Sequence, residues 1–185
     1  YLWLISNHKD AVIVDPGDEK VVEEYLNQNK LNLVGILVTH HHADHTAGVK
    51  QLKDRYHCPV WGPKNDPVKH IDHFCQQNDQ IEIPQLKIQI QVISVPGNTL
   101  GHIAYFIPTS EQIVNSLFCG DTIVSAGCGR LFEGKPEQMW HSIQKLMQLP
   151  PDTLIYPAHE YTLSNLKFAT QMEPENQDLS NYYKV

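Results

Sequence analysis

The sequence predicts an α/β fold, on three observations. Leu33 to Val38 is apolar and rich in β-branched residues, the pattern of a buried strand. The segment after it, Thr46 to Tyr56, carries Val49 and Leu52 at helical spacing. Residues able to bind a metal recur just after predicted strands, which is where open α/β sheets place their sites. With 185 residues the chain is long enough for one domain with a real core, and its 41% apolar content fits a soluble globular protein.

Taken in order, Tyr1 to Ser6 and Ala11 to Val14 are short apolar runs joined by the polar turn Asn7-His8-Lys9-Asp10, and they read as a β-hairpin with His8 solvated. Asp15-Pro16-Gly17-Asp18 ends the second strand. Asp15 suits either of two roles, a turn cap or a support for a metal-bound histidine. Glu19 to Asn29 reads as a helix with Val21, Val22, Tyr25 and Leu26 facing inward. Cys58 to Trp61 is a short strand, followed by a Gly62-Pro63 turn and a polar, irregular stretch from 64 to 80. His70 and His73 lie there at i, i+3 spacing, but no nearby acid or cysteine completes a metal set.

Ile81 to Val95 alternates through Leu86, Ile88, Ile90 and Val92, as antiparallel strands with one wet face do. The glycine-rich loop from Pro96 to His102 leads into strands at Ile103 to Ile107 and Val114 to Phe118. Ser125 to Gly134 is a loop of small residues carrying Arg130 and Phe132, able to let backbone approach a ligand and to set Arg130 against a carboxylate. Pro136 to Leu149 reads as a helix with Met139, Trp140, Ile143, Leu146 and Met147 inward and His141 exposed. A last strand, Leu154 to Tyr156, precedes His159, and a helix with Leu163, Leu166, Lys167 and Phe168 follows.

The densest chemistry is Thr39-His40-His41-His42-Ala43-Asp44-His45. His40 and His42 stand two apart on extended backbone, so their rings point to the same side. Asp44 and His45 come after the chain has turned and approach from another direction. One loop can then feed two adjacent metals, and imidazole with carboxylate suits zinc, iron or manganese. Asp121, at another strand end, can bridge two cations with its two oxygens. His159 follows a strand in the same way. A core histidine would not recur at strand ends.

The net charge of −7 argues against electrostatic binding to nucleic acid. No apolar run approaches the length of a membrane span, and no signal peptide is read at the start. Cys58, Cys75, Cys119 and Cys128 form no CxxC pair, so reduced thiols in a cytoplasmic protein are expected, with Cys128 a packed small residue in the glycine loop. The chain begins at Tyr1 in a strand-like pattern, so a few preceding residues are expected.

The string His40-His41-His42-Ala43-Asp44-His45 resembles the metallo-β-lactamase fold superfamily. Gly120-Asp121-Thr122, the run from Gly127 to Gly134, and His159-Glu160-Tyr161-Thr162 narrow the resemblance to glyoxalase II, the hydroxyacylglutathione hydrolases, of bacterial type. The resemblance covers essentially the whole chain. It implies a four-layer αββα sandwich over residues 1–165, with 166–185 the start of a truncated helical substrate-binding region. It implies two divalent metals per chain, zinc first and iron or manganese as alternatives. One would take His40, His42 and a third histidine; the other would take Asp44, His45 and His159, with Asp121 bridging. Arg130, Leu131, Phe132, His159, Glu160 and Tyr161 would hold the glutathione part of a thioester typified by S-D-lactoylglutathione.

One departure stands out. Asn98 occupies the position of the family's third histidine ligand, and it offers only a neutral carbonyl oxygen. His102 matches a family histidine that is not usually a ligand. The expected consequence is a first metal held more weakly, or completed by water or by a shift of His102. The expected chemistry needs no protein nucleophile: a hydroxide held between two cations attacks the thioester carbonyl, with Asp44 a candidate proton acceptor. A monomer acting on a small molecule is expected. The alternatives are another hydrolase of the same fold, and a metal-binding inactive homologue.

Overall fold

Strand β2 (Asp10–Val14) is buried along its whole length and shows how the layers are stacked. Side chains alternate across a strand, so Val12 and Val14 share one face and Ala11 and Ile13 the other. Val12 and Val14 join a core that also takes Ile81, Ile90, Val92, Tyr105 and Phe118 from a second sheet. Ala11 and Ile13 pack instead with Val22 and Leu26 of helix α1 (Glu19–Asn29) and with Val49 and Leu52 of helix α3 (Val49–Tyr56). The far face of the second sheet packs Phe106, Leu117 and Cys119 with Leu146 of helix α4 (Pro136–Leu146). The result is helices, sheet, sheet, helix: the expected αββα sandwich. This computed structural model describes residues 1–111 and 113–183.

The first sheet has the order β1-β2-β3-β4-β5, adding β1 (Trp3–Ser6), β3 (Asn32–Leu37), β4 (Val60–Pro63) and β5 (His73–Cys75). The hairpin β1–β2 forms as expected, and β2, β3, β4 and β5 run parallel. The second sheet has the order β12-β9-β8-β7-β6, from β6 (Gln80–Ile83), β7 (Ile88–Ser94), β8 (Ile103–Ile107), β9 (Ser116–Gly120) and β12 (Leu154–Pro157). A small hairpin, β10 (Ile123–Val124) and β11 (Gly127–Cys128), stands apart in the glycine loop. Two further helices, α5 (Thr162–Met172) and α6 (Gln177–Tyr183), close the described chain.

Several local expectations need correction. The helix expected over Thr46 to Tyr56 is two pieces, α2 (Ala43–Thr46) and α3, parted at Ala47 and Gly48. The stretch from 64 to 80 contains β5, and Gly62 and Pro63 end β4 rather than forming a turn. His73 sits in β5 with its ring stacked on Trp61 at 5.2 Å, so the pair with His70 does not form on a helix. Helical inward stripes are narrower than the sequence suggests. Val22 and Leu26 are buried in α1, but Val21 and Tyr25 are exposed; Met139 and Leu146 are buried in α4, but Trp140 and Met147 are exposed. A helix lying on a sheet buries one narrow stripe, here i, i+4 in α1 and i, i+3, i+7 in α4, and the neighbouring positions stay wet.

Candidate metal centre

The strand register brings the donors to one edge of the sandwich. In the parallel pair β2–β3, Val14 lies opposite Leu37, so Asp15 emerges beside the chain that continues into Thr39 and His40. The Asp15 N–H donates to Leu37 O at 2.9 Å, with Asp15 itself at φ 51°. In the parallel pair β12–β9, Pro157 lies opposite Gly120, so Asp121 and His159 emerge together. The Ile103 N–H donates to Thr39 O at 3.0 Å and ties the two edges to each other. Gly120 is required here: its φ is 51°, and a Cβ would come within 2.5 Å of Thr39 Oγ1 and 2.7 Å of His102.

Hydrogen bonds from the far side of each ring fix the donors. Thr39 Oγ1 lies 2.7 Å from Asp15 Oδ2 and 2.9 Å from His40 Nδ1. A hydroxyl has one proton, which goes to the carboxylate, so the oxygen accepts from His40 Nδ1–H and leaves His40 Nε2 unprotonated. Asp15 Oδ2 also lies 2.9 Å from His45 Nδ1, which frees His45 Nε2 in the same way. Asp15 therefore takes the second of the two roles open to it, supporting two histidines of the cluster.

The free ends converge in two groups. His40, His42 and Asp121 offer one ligand atom each within 4.8 Å of one another, and so do Asp44, His45 and His159. Asp121 belongs to both neighbourhoods. Its Oδ2 lies 3.8 Å from His40 Nε2, and its Oδ1 lies 3.3 Å from both His45 Nε2 and His159 Nε2. Asp44 Oδ2 is 3.3 Å from His159 Nε2 and 3.5 Å from His45 Nε2. These separations suit two ligands sharing an ion better than hydrogen bonds. His45 Nε2 and Asp121 Oδ1 are both buried, yet neither has a hydrogen-bond partner among the described residues. Buried polar atoms left this way need an explanation, and a divalent cation between them supplies it.

The electrostatics agree. Burial, with His102, His45, His42 and His41 around it, drives the His40 pKa far down, so the ring is neutral and ready to ligate. Burial also opposes charge on His45, but Asp15 and Asp121 outweigh it and raise its pKa to about 10. Burial pushes the Asp121 carboxyl upward, and His45 and His159 more than reverse this, keeping it an anion. Without a cation, the carboxylates hold a proton on His45 in the place of a metal.

A cleft of about 500 Å³ opens over these groups. Its walls include His42, Asp44, Asn98, Asp121, Arg130, Phe132, His159 and Tyr161. Arg130 is exposed, with Cζ 5.1 Å from the Phe132 ring, and Phe132 meets His42 edge-on at 4.9 Å. Tyr161 stacks on His159 at 5.6 Å. Leu131 and Glu160 are not among the lining residues. Glu160 turns away, accepting from Tyr1 Oη and Thr162 N at 3.0 Å.

Asn98 is buried, and its Nδ2 donates to Arg130 O at 2.9 Å. His102 has not shifted toward the ligands. It is fully buried, stacked on His40 at 4.5 Å, and its Nε2 accepts from Asp121 N at 3.2 Å. Cys128, expected to pack, is exposed on β11, and all four cysteines are free. Sequence reasoning missed Asp66. Its Oδ1 lies 2.7 Å from His41 Nδ1, and its Oδ2 accepts from His41 N and Thr99 Oγ1 at 3.0 Å, so it fastens the histidine loop to the 98–102 loop. An aspartate in an irregular polar stretch gives no periodic signal.

Known proteins resemble this chain in sequence and fold. The model of the metallo-beta-lactamase superfamily matches residues 1–159. A hydroxyacylglutathione hydrolase from Nitrosomonas eutropha is 44% identical over 179 residues, 97% of this chain and 68% of that one. One from Shewanella baltica is 48% identical over 188 residues, 98% of this chain and 69% of that one. Among solved structures, ETHE1 from Myxococcus xanthus superposes with a TM-score of 0.75 at 29% identity, covering 87% of this chain and 71% of that one.

Proposed function

Since the chain belongs to the metallo-β-lactamase superfamily and, within it, to the hydroxyacylglutathione hydrolases, we propose that it hydrolyses the thioester of S-(2-hydroxyacyl)glutathione. The products are glutathione and a 2-hydroxy acid, D-lactate from the lactoyl thioester, in keeping with detoxification of methylglyoxal. The observation that carries the reading is one carboxylate, Asp121, set between two donor groups at the floor of a cleft walled by Arg130, Phe132 and Tyr161.

His40, His42 and Asp121 would hold one divalent ion, and Asp44, His45, His159 and Asp121 a second, zinc being the first expectation. Ions bound there lower the pKa of water and polarise a carbonyl oxygen. The chain's own residues do the rest. Thr39 and Asp15 keep the His40 and His45 rings aimed by holding their Nδ1 protons. Asp44, with its side chain 59% exposed at the mouth of the cleft, can take a proton and release it to solvent. Arg130 is the cation in the walls suited to a glutathione carboxylate, and Phe132 and Tyr161 give flat apolar surface beside it. A cytoplasmic monomer belongs to the same proposal. No helix among the described residues is long and apolar enough to cross a membrane.

The test is hydrolysis of S-D-lactoylglutathione by zinc- and manganese-loaded protein, run beside a chromogenic β-lactam, with Asp121→Ala as the control. Thioester hydrolysis that disappears in the variant is expected. Hydrolysis of the β-lactam alone would replace this reading with that of a lactamase-like enzyme. Activity on neither compound, with metal bound, would favour an inactive homologue.

A further inference from the structure

We propose that Asn98 completes the donor set at the His40–His42 position through its amide oxygen, and that this position is therefore the weaker of the two and fills second. The inference rests on the two-metal reading of the site and concerns Asn98 in the loop after β7.

Asn98 is 1% exposed. The partner of its Nδ2, Arg130 O, is a carbonyl and can only accept, so the nitrogen end of the amide is fixed by chemistry. The other end, Oδ1, is then buried with no hydrogen-bond partner among the described residues. It joins His45 Nε2 and Asp121 Oδ1, two atoms of the metal constellation left in the same state. The residue cannot swing away to satisfy itself. Asn98 O accepts from Phe132 N at 3.2 Å and from Glu133 N at 3.3 Å, and the Gly134 N–H donates to Gly97 O at 3.1 Å. These bonds lock the loop, and Asn98 lines the same cleft as His42 and Asp121.

The two positions differ in donor chemistry. One has His45, His159 and the Asp44 carboxylate beside the shared Asp121; the other has His40, His42 and the shared Asp121. An amide oxygen added to the second gives it a neutral, weaker donor where the first has an anion. His102 does not take over: its Nε2 accepts from Asp121 N, and although its Nδ1 is buried without a partner, the residue joins none of the converging ligand groups among the described residues. The sequence expectation of a weakened metal at His40 and His42 thus acquires a mechanism: an oxygen ligand, held in place by the loop that carries Arg130.

The test is stepwise zinc binding to the metal-free full chain, read by competition with a chromogenic chelator and by elemental analysis, with no use of activity. Two steps separated by at least about tenfold are expected. Asn98→His can keep the bond to Arg130 O with one ring nitrogen and offer the other, so it should tighten the weaker step by at least about tenfold and leave the stronger unchanged. Asn98→Ala should weaken that same step further. A wild type that holds one zinc and gains a second only as Asn98→His would overturn the proposal, because Asn98 would then supply no usable donor. Two zinc ions binding wild type with equal affinity would overturn it, and that result needs no variant to fold. So would weaker-step affinities within about twofold across all three proteins. In either case two bound zinc ions would leave the hydrolase reading standing. Less than one zinc per chain in every protein would instead overturn the two-metal reading and this inference together.

Discussion

Asp15 holds His45: its Oδ2 lies 2.9 Å from His45 Nδ1 while the same carboxylate accepts the Thr39 N–H and hydroxyl at 2.7 Å each. Neither residue can move without the other. Asp15→Asn keeps the shape but presents an amide to the ring, so His45 loses the partner that frees its Nε2. Zinc affinity at the Asp44–His45–His159 position should fall about 10- to 100-fold, measured by chelator competition.

The same pair sets a pH dependence. In the metal-free protein the His45 pKa is about 10, above its ordinary 6.5. The charged ring therefore stabilises the fold fully below about pH 6.5, and the contribution is lost as pH rises through about 10. A metal must displace that proton, so between these values zinc affinity should climb about tenfold per pH unit. Titrations at two pH values check the slope, which should flatten in Asp15→Asn.

His102 titrates in the opposite sense. Burial lowers its pKa to about 4, against an upward pull from Asp15 and Asp121. The folded value lies below the unfolded 6.5, so stability is whole above about pH 6.5 and is lost as pH falls toward about 4. The loss is on the order of 3 kcal/mol. Acid denaturation of His102→Asn, followed by circular dichroism, should show a shallower fall across that window.

Tyr105 is fully buried between the sheets, and its hydroxyl donates to Val38 O at 2.7 Å, just before the histidine loop. Tyr105→Phe leaves that carbonyl short of a partner and should cost about 1–3 kcal/mol. A denaturant titration measures it, with the slope unchanged.

The Arg130 guanidinium lies over Phe132, and only the backbone carbonyl of Arg130 meets Asn98, so removing the side chain should separate binding from chemistry. Arg130→Met should raise KM for S-D-lactoylglutathione about tenfold and leave kcat within about twofold. An equal fall in kcat would show that Arg130 acts in the transition state instead.

The parts of this molecule legible in the sequence were those written in periodicity and in donor spacing. The two-residue alternation of β6 and β7 and the apolar runs of β2 and β3 marked most of these strands, and the cluster from His40 to His45 announced a metal loop on its own. Asp121 and His159 could be found because each ends a strand. What stayed hidden depends on which surface meets which. Trp140 and Met147 lie on a helical stripe but beyond the sheet's reach, so they are exposed. β5 was masked by polar neighbours. The roles of Thr39, Asp66 and His102 rest on bonds between segments far apart in the chain, and no local pattern records them.

The Gly120–Asp121 turn and the loop after β12 meet the 40–45 loop across the seam between the two sheets. An ion at that junction closes stretches of chain roughly 80 and 115 residues long, the kind of long-range tie that most restricts an unfolded chain. The site is therefore a fastener as well as a reagent. Stripping it of metal would slacken the edge of the sandwich, and a protein starved of metal would become easier prey for proteases in addition to falling silent.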